Sequence, residues 1–107
     1  RLGPVLAGFA PGESLFLVYE GRRYKIGRDP FVIGRHPTCN LQIRDGNVSR
    51  KHAAIVQRFG IYYITDLGSL AGLEYRGMKI SNKRIDEGDM FMVREYALRF
   101  TFHETDA

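Results

Sequence analysis

Apolar side chains recur here in short period-two runs or solid apolar blocks, and nowhere over a sustained period of 3.6 residues. An amphipathic helix needs an apolar stripe every three to four residues, so helical and α/β folds lose their basis. The runs are rich in Val, Ile, Phe and Tyr, which suit a pleated, half-buried surface. Candidate strands are Leu15–Tyr19, Arg22–Ile26, Phe31–Ile33, Leu41–Ile43, His52–Arg58 and Ile61–Asp66. Gly72–Tyr75, Met78–Ile80, Arg84–Ile85, Met90–Val93 and Tyr96–Phe102 complete the set. The last is the cleanest, with Tyr96, Leu98, Phe100 and Phe102 on one face and Ala97, Arg99 and Thr101 on the other. Turn signals separate the runs: Glu20-Gly21, Asp45-Gly46, Phe59-Gly60, Gly68, Arg76-Gly77 and Glu87-Gly88. About eleven short, mainly antiparallel strands and no helix predict an all-β chain, either a β-sandwich or a closed barrel.

At 107 residues the chain has room for one domain, and its 44% apolar content is too rich for a disordered segment. The net charge of +4 favours anionic partners in general, although plain solubility asks for as much. Cys39 stands alone, so no internal disulfide forms, which fits a reducing, cytoplasmic setting. The apolar stretch Leu2 to Gly12 is interrupted by Gly3, Pro4, Gly8 and Pro11 and is too short to span a bilayer. Residues 1–14 read as an N-terminal extension and 15–107 as the folded domain. With Arg1 first and no initiator Met, the chain is expected to be part of something longer.

Three segments place polar residues at strand ends, where the β pattern has no need of them. They are Ile33-Gly34-Arg35-His36-Pro37, Asn47-Val48-Ser49-Arg50-Lys51-His52-Ala53 and Asp66-Leu67-Gly68-Ser69-Leu70-Ala71-Gly72-Leu73. Together they resemble the forkhead-associated (FHA) family, whose pattern is G-R, then S-x-x-H about 14 residues on, then D-L-x-S-x-N-G. Ile85-Asp86-Glu87-Gly88-Asp89 is similar to that family's L-x-x-G-D turn. The resemblance covers Leu15 to Phe102. It implies an FHA-type β-sandwich that binds phosphothreonine peptides through loops at one end. A phosphothreonine carries nearly two negative charges and three acceptor oxygens, so its site wants a guanidinium fork and neutral donors.

On this resemblance the phosphopeptide-binding residues are Arg35, Ser49, Arg50, Ala71 and Gly72, with Lys51 and Arg76 as supporting cations. Arg35 would supply the fork, and Ser49 a hydroxyl and its backbone N–H. Strand alternation would point Arg50 and Lys51 to opposite faces, and the resemblance favours Arg50 toward the phosphate. Gly34, His52, Asp66 and Ser69 are structural by the same resemblance, His52 by fixing the loop that holds Ser49. No catalytic residue, metal or cofactor is expected, since no His/Cys set has metal spacing and no nucleophile motif is present.

The sequence departs from the family at one loop. Where the pattern reads S-T-N-G-T, this chain has Ser69-Leu70-Ala71-Gly72-Leu73, so the Asn that grips the ligand's main chain is Ala71. A later loop Asn is Arg76. Weak phosphopeptide binding, an altered ligand mode with an apolar patch, and a relic site all remain open. The expected function is therefore a phosphothreonine-peptide-binding interaction module of a signalling protein, with a degenerate peptide-backbone clamp. Its partner would be a phosphothreonine segment of another protein or of the same full-length chain, in a Ser/Thr kinase pathway, with no nucleic acid and no membrane in this segment. The alternatives are a phospho-independent scaffold working through Leu70 and Leu73, and a nucleic-acid-binding β domain. The second is disfavoured because cations run from Arg1 to Arg99 interleaved with acids, as in Arg44-Asp45 and Arg94-Glu95. Arg22, Arg23 and Lys25, and the pair Lys83-Arg84, read as solvated strand faces.

Overall fold

A computed structural model describes residues 13–105; of the expected N-terminal extension, 1–14, only Glu13 and Ser14 are among them. The strands are β1 (Phe16–Tyr19), β2 (Arg22–Lys25), β3 (Phe31–Gly34), β4 (Leu41–Gln42), β5 (Ala53–Arg58) and β6 (Ile61–Asp66). They continue with β7 (Leu73–Tyr75), β8 (Met78–Ile80), β9 (Asn82–Arg84), β10 (Met90–Val93) and β11 (Tyr96–Thr101). One sheet has the order β9-β6-β5-β3-β4 and the other β2-β1-β11-β10-β7-β8. All pairings are antiparallel except β3 with β4. The expected all-β sandwich of about eleven strands is what the described residues form, with eleven among them. No helix of the described residues is long and apolar enough to cross a membrane.

Turn chemistry sets the hairpins. Glu20-Gly21, Phe59-Gly60 and Arg76-Gly77 all take positive φ at both residues, the backbone that joins right-twisted strands through two-residue loops. The inner faces meet in a core in which Leu17, Ile33, Ile55, Ile64, Leu98 and Phe100 are fully buried. Phe91 lies between Tyr75 and Phe100, at ring distances of 5.0 and 5.8 Å. Thr101 is on the outer face of β11 and is nonetheless buried, its hydroxyl donating to Glu87 at 2.6 Å.

Two expectations need correction. The short strand foreseen at Arg84–Ile85 is β9, Asn82–Arg84, paired with Tyr63 to Thr65 of β6. Its polar residues on a sheet edge leave no apolar signature; Ile85 follows it, buried, with its N–H donating to the Tyr62 carbonyl. Lys83 is not on a solvated face. Its ammonium sits 2.7 Å from buried Asp89 and 4.6 Å from the Tyr75 ring centroid.

Burial pushes the Asp89 carboxyl up, but the Lys83 ammonium, the Asp86 N–H and the Tyr75 hydroxyl outweigh it and hold the group below the usual carboxylate range. A depressed folded-state value means the stabilisation is complete above the ordinary carboxylate value and is lost as pH falls through the folded one. Asp89→Asn is accordingly expected to be less stable than the parent near neutral pH, and the gap to shrink near pH 3, about where carboxylates protonate. Urea melts at the two pH values measure it, and a gap that stays constant would contradict the assignment.

Candidate functional site

The loops after β3, before β5 and after β6 converge at one end of the sandwich. The segment 49–52 runs beside the end of β3 without being a strand. Arg35 N–H donates to the Ser49 carbonyl at 3.0 Å, His36 N–H to Arg50 at 3.1 Å, and His52 N–H to Ile33 at 2.8 Å. Gly34 makes that approach sterically feasible: a Cβ built there would lie 2.3 Å from the Arg50 carbonyl oxygen.

His52 is fully buried and joins two loops. The Ser49 N–H donates to its Nδ1 at 3.1 Å, which leaves the ring proton on Nε2 to donate to the Gly72 carbonyl at 2.8 Å. The Ser49 N–H is therefore committed, contrary to the expectation that it faces the ligand. Its hydroxyl oxygen accepts from the Leu70 N–H at 3.2 Å and keeps its own proton to donate. His52→Ala would orphan both partners, so stability should fall by roughly 1–3 kcal/mol while any ligand contact at Arg35 survives. A thermal melt checks this, and an unchanged midpoint would remove His52 from the frame.

The loop after β6 is tied from within. Asp66 accepts from the Gly68 and Ser69 N–H groups at 3.0 and 3.1 Å and from the Ser69 hydroxyl. The Ser69 oxygen accepts in turn from the Gly72 N–H at 2.9 Å. Gly72 thus has both backbone groups engaged, its N–H within the loop and its carbonyl with His52, and sits at φ +88°. Leu70 is 96% exposed, whereas Leu73 is fully buried, so the surface expected from this pair reduces to Leu70.

A cleft of about 480 Å³ opens at this end, lined by Arg35, residues 46–51, Leu70, Ala71 and Arg94. It brings together Arg35, Ser49, Arg50, Lys51 and Ala71 of the expected residues. Gly72 contributes behind the lining. Arg76 is elsewhere: it caps the β7–β8 hairpin, stacked 5.2 Å from the Tyr75 centroid, beside a second cleft lined with Met90 and Met92. Alternation does not separate Arg50 from Lys51, because both lie on a bend before β5; both are exposed and both line the cleft. Arg35 is half-buried and lines the opening, its Nε donating to the Val48 carbonyl at 3.0 Å.

Sequence reasoning missed the far wall. The Tyr96 hydroxyl donates to Asp45 at 2.6 Å, and Asp45 also accepts from the Asn47 N–H at 2.8 Å. The Tyr96 bond holds Asp45 below the usual carboxylate range, and Asp45 in turn pushes Tyr96 up to about 12. Beside this tie stands Arg94 in the β10–β11 turn, at φ +56°. A contact between residues 51 apart has no local signal, and Arg94 belongs to no motif. Among the described residues no three His, Cys, Asp or Glu side chains converge as a metal would need.

The family model described as FHA domain matches residues 31–93, which include every loop of the cleft except the Arg94 turn. Among curated relatives, the oxoglutarate dehydrogenase inhibitor of Corynebacterium diphtheriae is 29% identical over 80 residues, 75% of this chain and 56% of its own length. The glycogen accumulation regulator GarA of Mycolicibacterium smegmatis is 27% identical over 97 residues, 87% of this chain and 61% of its own. The chain thus spans less than two thirds of either relative. Among solved structures, Mycobacterium tuberculosis EmbR in complex with a low-affinity phosphopeptide superposes with a TM-score of 0.81 at 27% identity, covering 88% of this chain and 26% of that one.

Proposed function

This chain belongs to the FHA domain family, and from that membership and the geometry of its cleft we propose that it is a phosphothreonine-peptide-binding module. One observation carries the reading: the Arg35 guanidinium and the Ser49 hydroxyl share a cleft that no carboxylate lines among the described residues. Arg35 presents its terminal N–H groups to two phosphate oxygens, while Ser49 donates to a third. Arg50 and Lys51 add cations at the rim. His52, Gly34, Asp66 and Ser69 hold the donors in place and touch no ligand, and the module performs no catalysis of its own.

The ligand's main chain is held weakly in this reading. Ala71 lines the cleft where an Asn would donate to and accept from the peptide backbone, and it can do neither. Leu70, exposed on the rim, offers an apolar contact in its place. The partner is a phosphothreonine segment of another protein or of the full-length chain, produced by a Ser/Thr kinase, in the cytoplasm. The EmbR complex with a phosphopeptide supports this choice of ligand class.

Calorimetric titration with one peptide as phosphothreonine, phosphoserine and unphosphorylated forms tests the proposal, with single-stranded DNA as the control for generic anion binding. Binding only to phosphorylated peptide is the expected result; equal binding to all forms would replace the phosphate reading with a scaffold built on Leu70. Ala71→Asn, alone and with Leu70→Thr, should tighten phosphopeptide binding by roughly 1–3 kcal/mol, or about one to two decades in Kd. No gain in either variant would mean that the ligand's main chain does not pass this loop.

A further inference from the structure

The charge lining the cleft exceeds what one phosphate neutralises. Arg35, Arg50, Lys51 and Arg94 are all among its lining residues, and among the described residues no Asp or Glu is. A phosphothreonine brings roughly 1.5 to 2 negative charges, so a ligand carrying only that group would leave about two cations facing it unmatched.

Arg94 is the cation best placed to read something else. Arg35 enters from the end of β3, and Arg50 and Lys51 follow Ser49 directly, whereas Arg94 reaches the cleft from the β10–β11 turn of the opposite sheet. Its neighbours do not occupy it. Glu95 is 3.9 Å from its Nε, and both side chains are exposed to solvent screening, an arrangement that contributes little. Asp45 also faces it electrostatically, but that carboxylate already accepts from the Tyr96 hydroxyl and the Asn47 N–H. The Tyr96 bond fastens the 45–47 loop to β11 and the Asn47 bond closes that loop on itself, so the wall beside Arg94 is fixed before any ligand arrives. A non-Gly residue at φ +56° is uncommon outside Asn and Asp, and here it carries a long cation at the cleft.

We propose that Arg94 is a specificity-determining residue that selects phosphothreonine peptides bearing an acidic side chain near the phosphorylated residue. The inference rests on the phosphopeptide reading above and adds the class of sequence around the phosphate. The acidic group meets Arg94 while the phosphate meets Arg35 and Ser49, so an extended ligand bridges the two sheets across the cleft mouth. Excess positive potential in a concave site also speeds the approach of such a ligand, with a steeper salt dependence than a phosphopeptide with a neutral flank shows.

The test uses synthetic phosphothreonine peptides with alanine at every flanking position, and a series in which one aspartate is moved stepwise through those positions. Fluorescence anisotropy gives Kd for the parent domain and for Arg94→Asn, whose replacement side chain tolerates positive φ; a thermal melt establishes that the variant is folded. The parent is expected to favour aspartate at one position by roughly three- to tenfold, and Arg94→Asn to lose that ratio. If no position shows a preference, or the preference survives in Arg94→Asn, Arg94 does not read the ligand, while phosphate recognition stands. If no phosphopeptide binds the parent at all, the proposed function fails and takes this selectivity with it.

Discussion

Arg35→Ala should lower affinity for a phosphothreonine peptide by about a hundredfold or more. The Arg35 Nε is engaged with the Val48 carbonyl at 3.0 Å, so the terminal nitrogens of the fork are the ones left for ligand. Each charge-assisted hydrogen bond contributes about 1.5–3 kcal/mol, so losing two removes at least about 3 kcal/mol, or some two decades in Kd. The fold should tolerate the change, since only one internal bond, of about 1 kcal/mol net, is lost with the side chain. Arg35→Lys separates charge from shape. It keeps a cation but loses both the planar fork and the brace to Val48, and should recover only part of the affinity. Titration of both variants with a single phosphopeptide decides the matter; an unchanged Kd for Arg35→Ala would place the phosphate elsewhere.

Gly34→Ala should do the opposite kind of damage, to the frame rather than to the ligand contact. One added methyl would lie 2.3 Å from the Arg50 carbonyl oxygen, 2.9 Å from its carbon and 3.0 Å from the His52 nitrogen. All three are backbone atoms, and the same stretch is pinned by bonds from Arg35 and His36 and by the His52 bond to Ile33. No flexible side chain is available to yield, so the segment 50–52 must move away from β3. Overpacking of this kind costs about 1–3 kcal/mol or more, and a domain of this size loses about 4–8 °C of midpoint per kcal/mol. A fall of roughly 10–20 °C is expected on those figures, together with loss of phosphopeptide binding because Ser49 and Arg50 move with the segment. A melt within a few degrees of the parent would show that the strand end and the loop can separate cheaply.

The fold was legible because its signals are local. Period-two runs and two-residue turns such as Phe59-Gly60 and Arg76-Gly77 depend on neighbours in sequence, and each such turn sits where expected. The strand that shifted, Asn82–Arg84, is polar and on an edge, where the core imposes no pattern. The site was legible in part. The Gly34-Arg35, Ser49-to-His52 and Asp66-to-Ser69 segments are compact motifs, and the structure gathers them at one end. What escaped depends on contacts between distant residues: the Tyr96–Asp45 tie, the place of Arg94 in the cleft wall, and the distance of Arg76 from it. Alternation also misled at Arg50 and Lys51, because a strand rule was applied to a bend.

The loop after β6 separates its skeleton from its tip. Asp66, Ser69 and Gly72 close on one another through their own hydrogen bonds, and His52 anchors the result. Leu70 and Ala71 are carried between these anchors, and the one tip bond, from the Leu70 N–H to Ser49, uses backbone that any residue except proline supplies. Folding is thus nearly blind to which side chains occupy positions 70 and 71. That makes the loop a cassette: a library varied at these two residues should yield folded proteins almost throughout, and ligand preference can drift or be engineered there without compensating changes in the core.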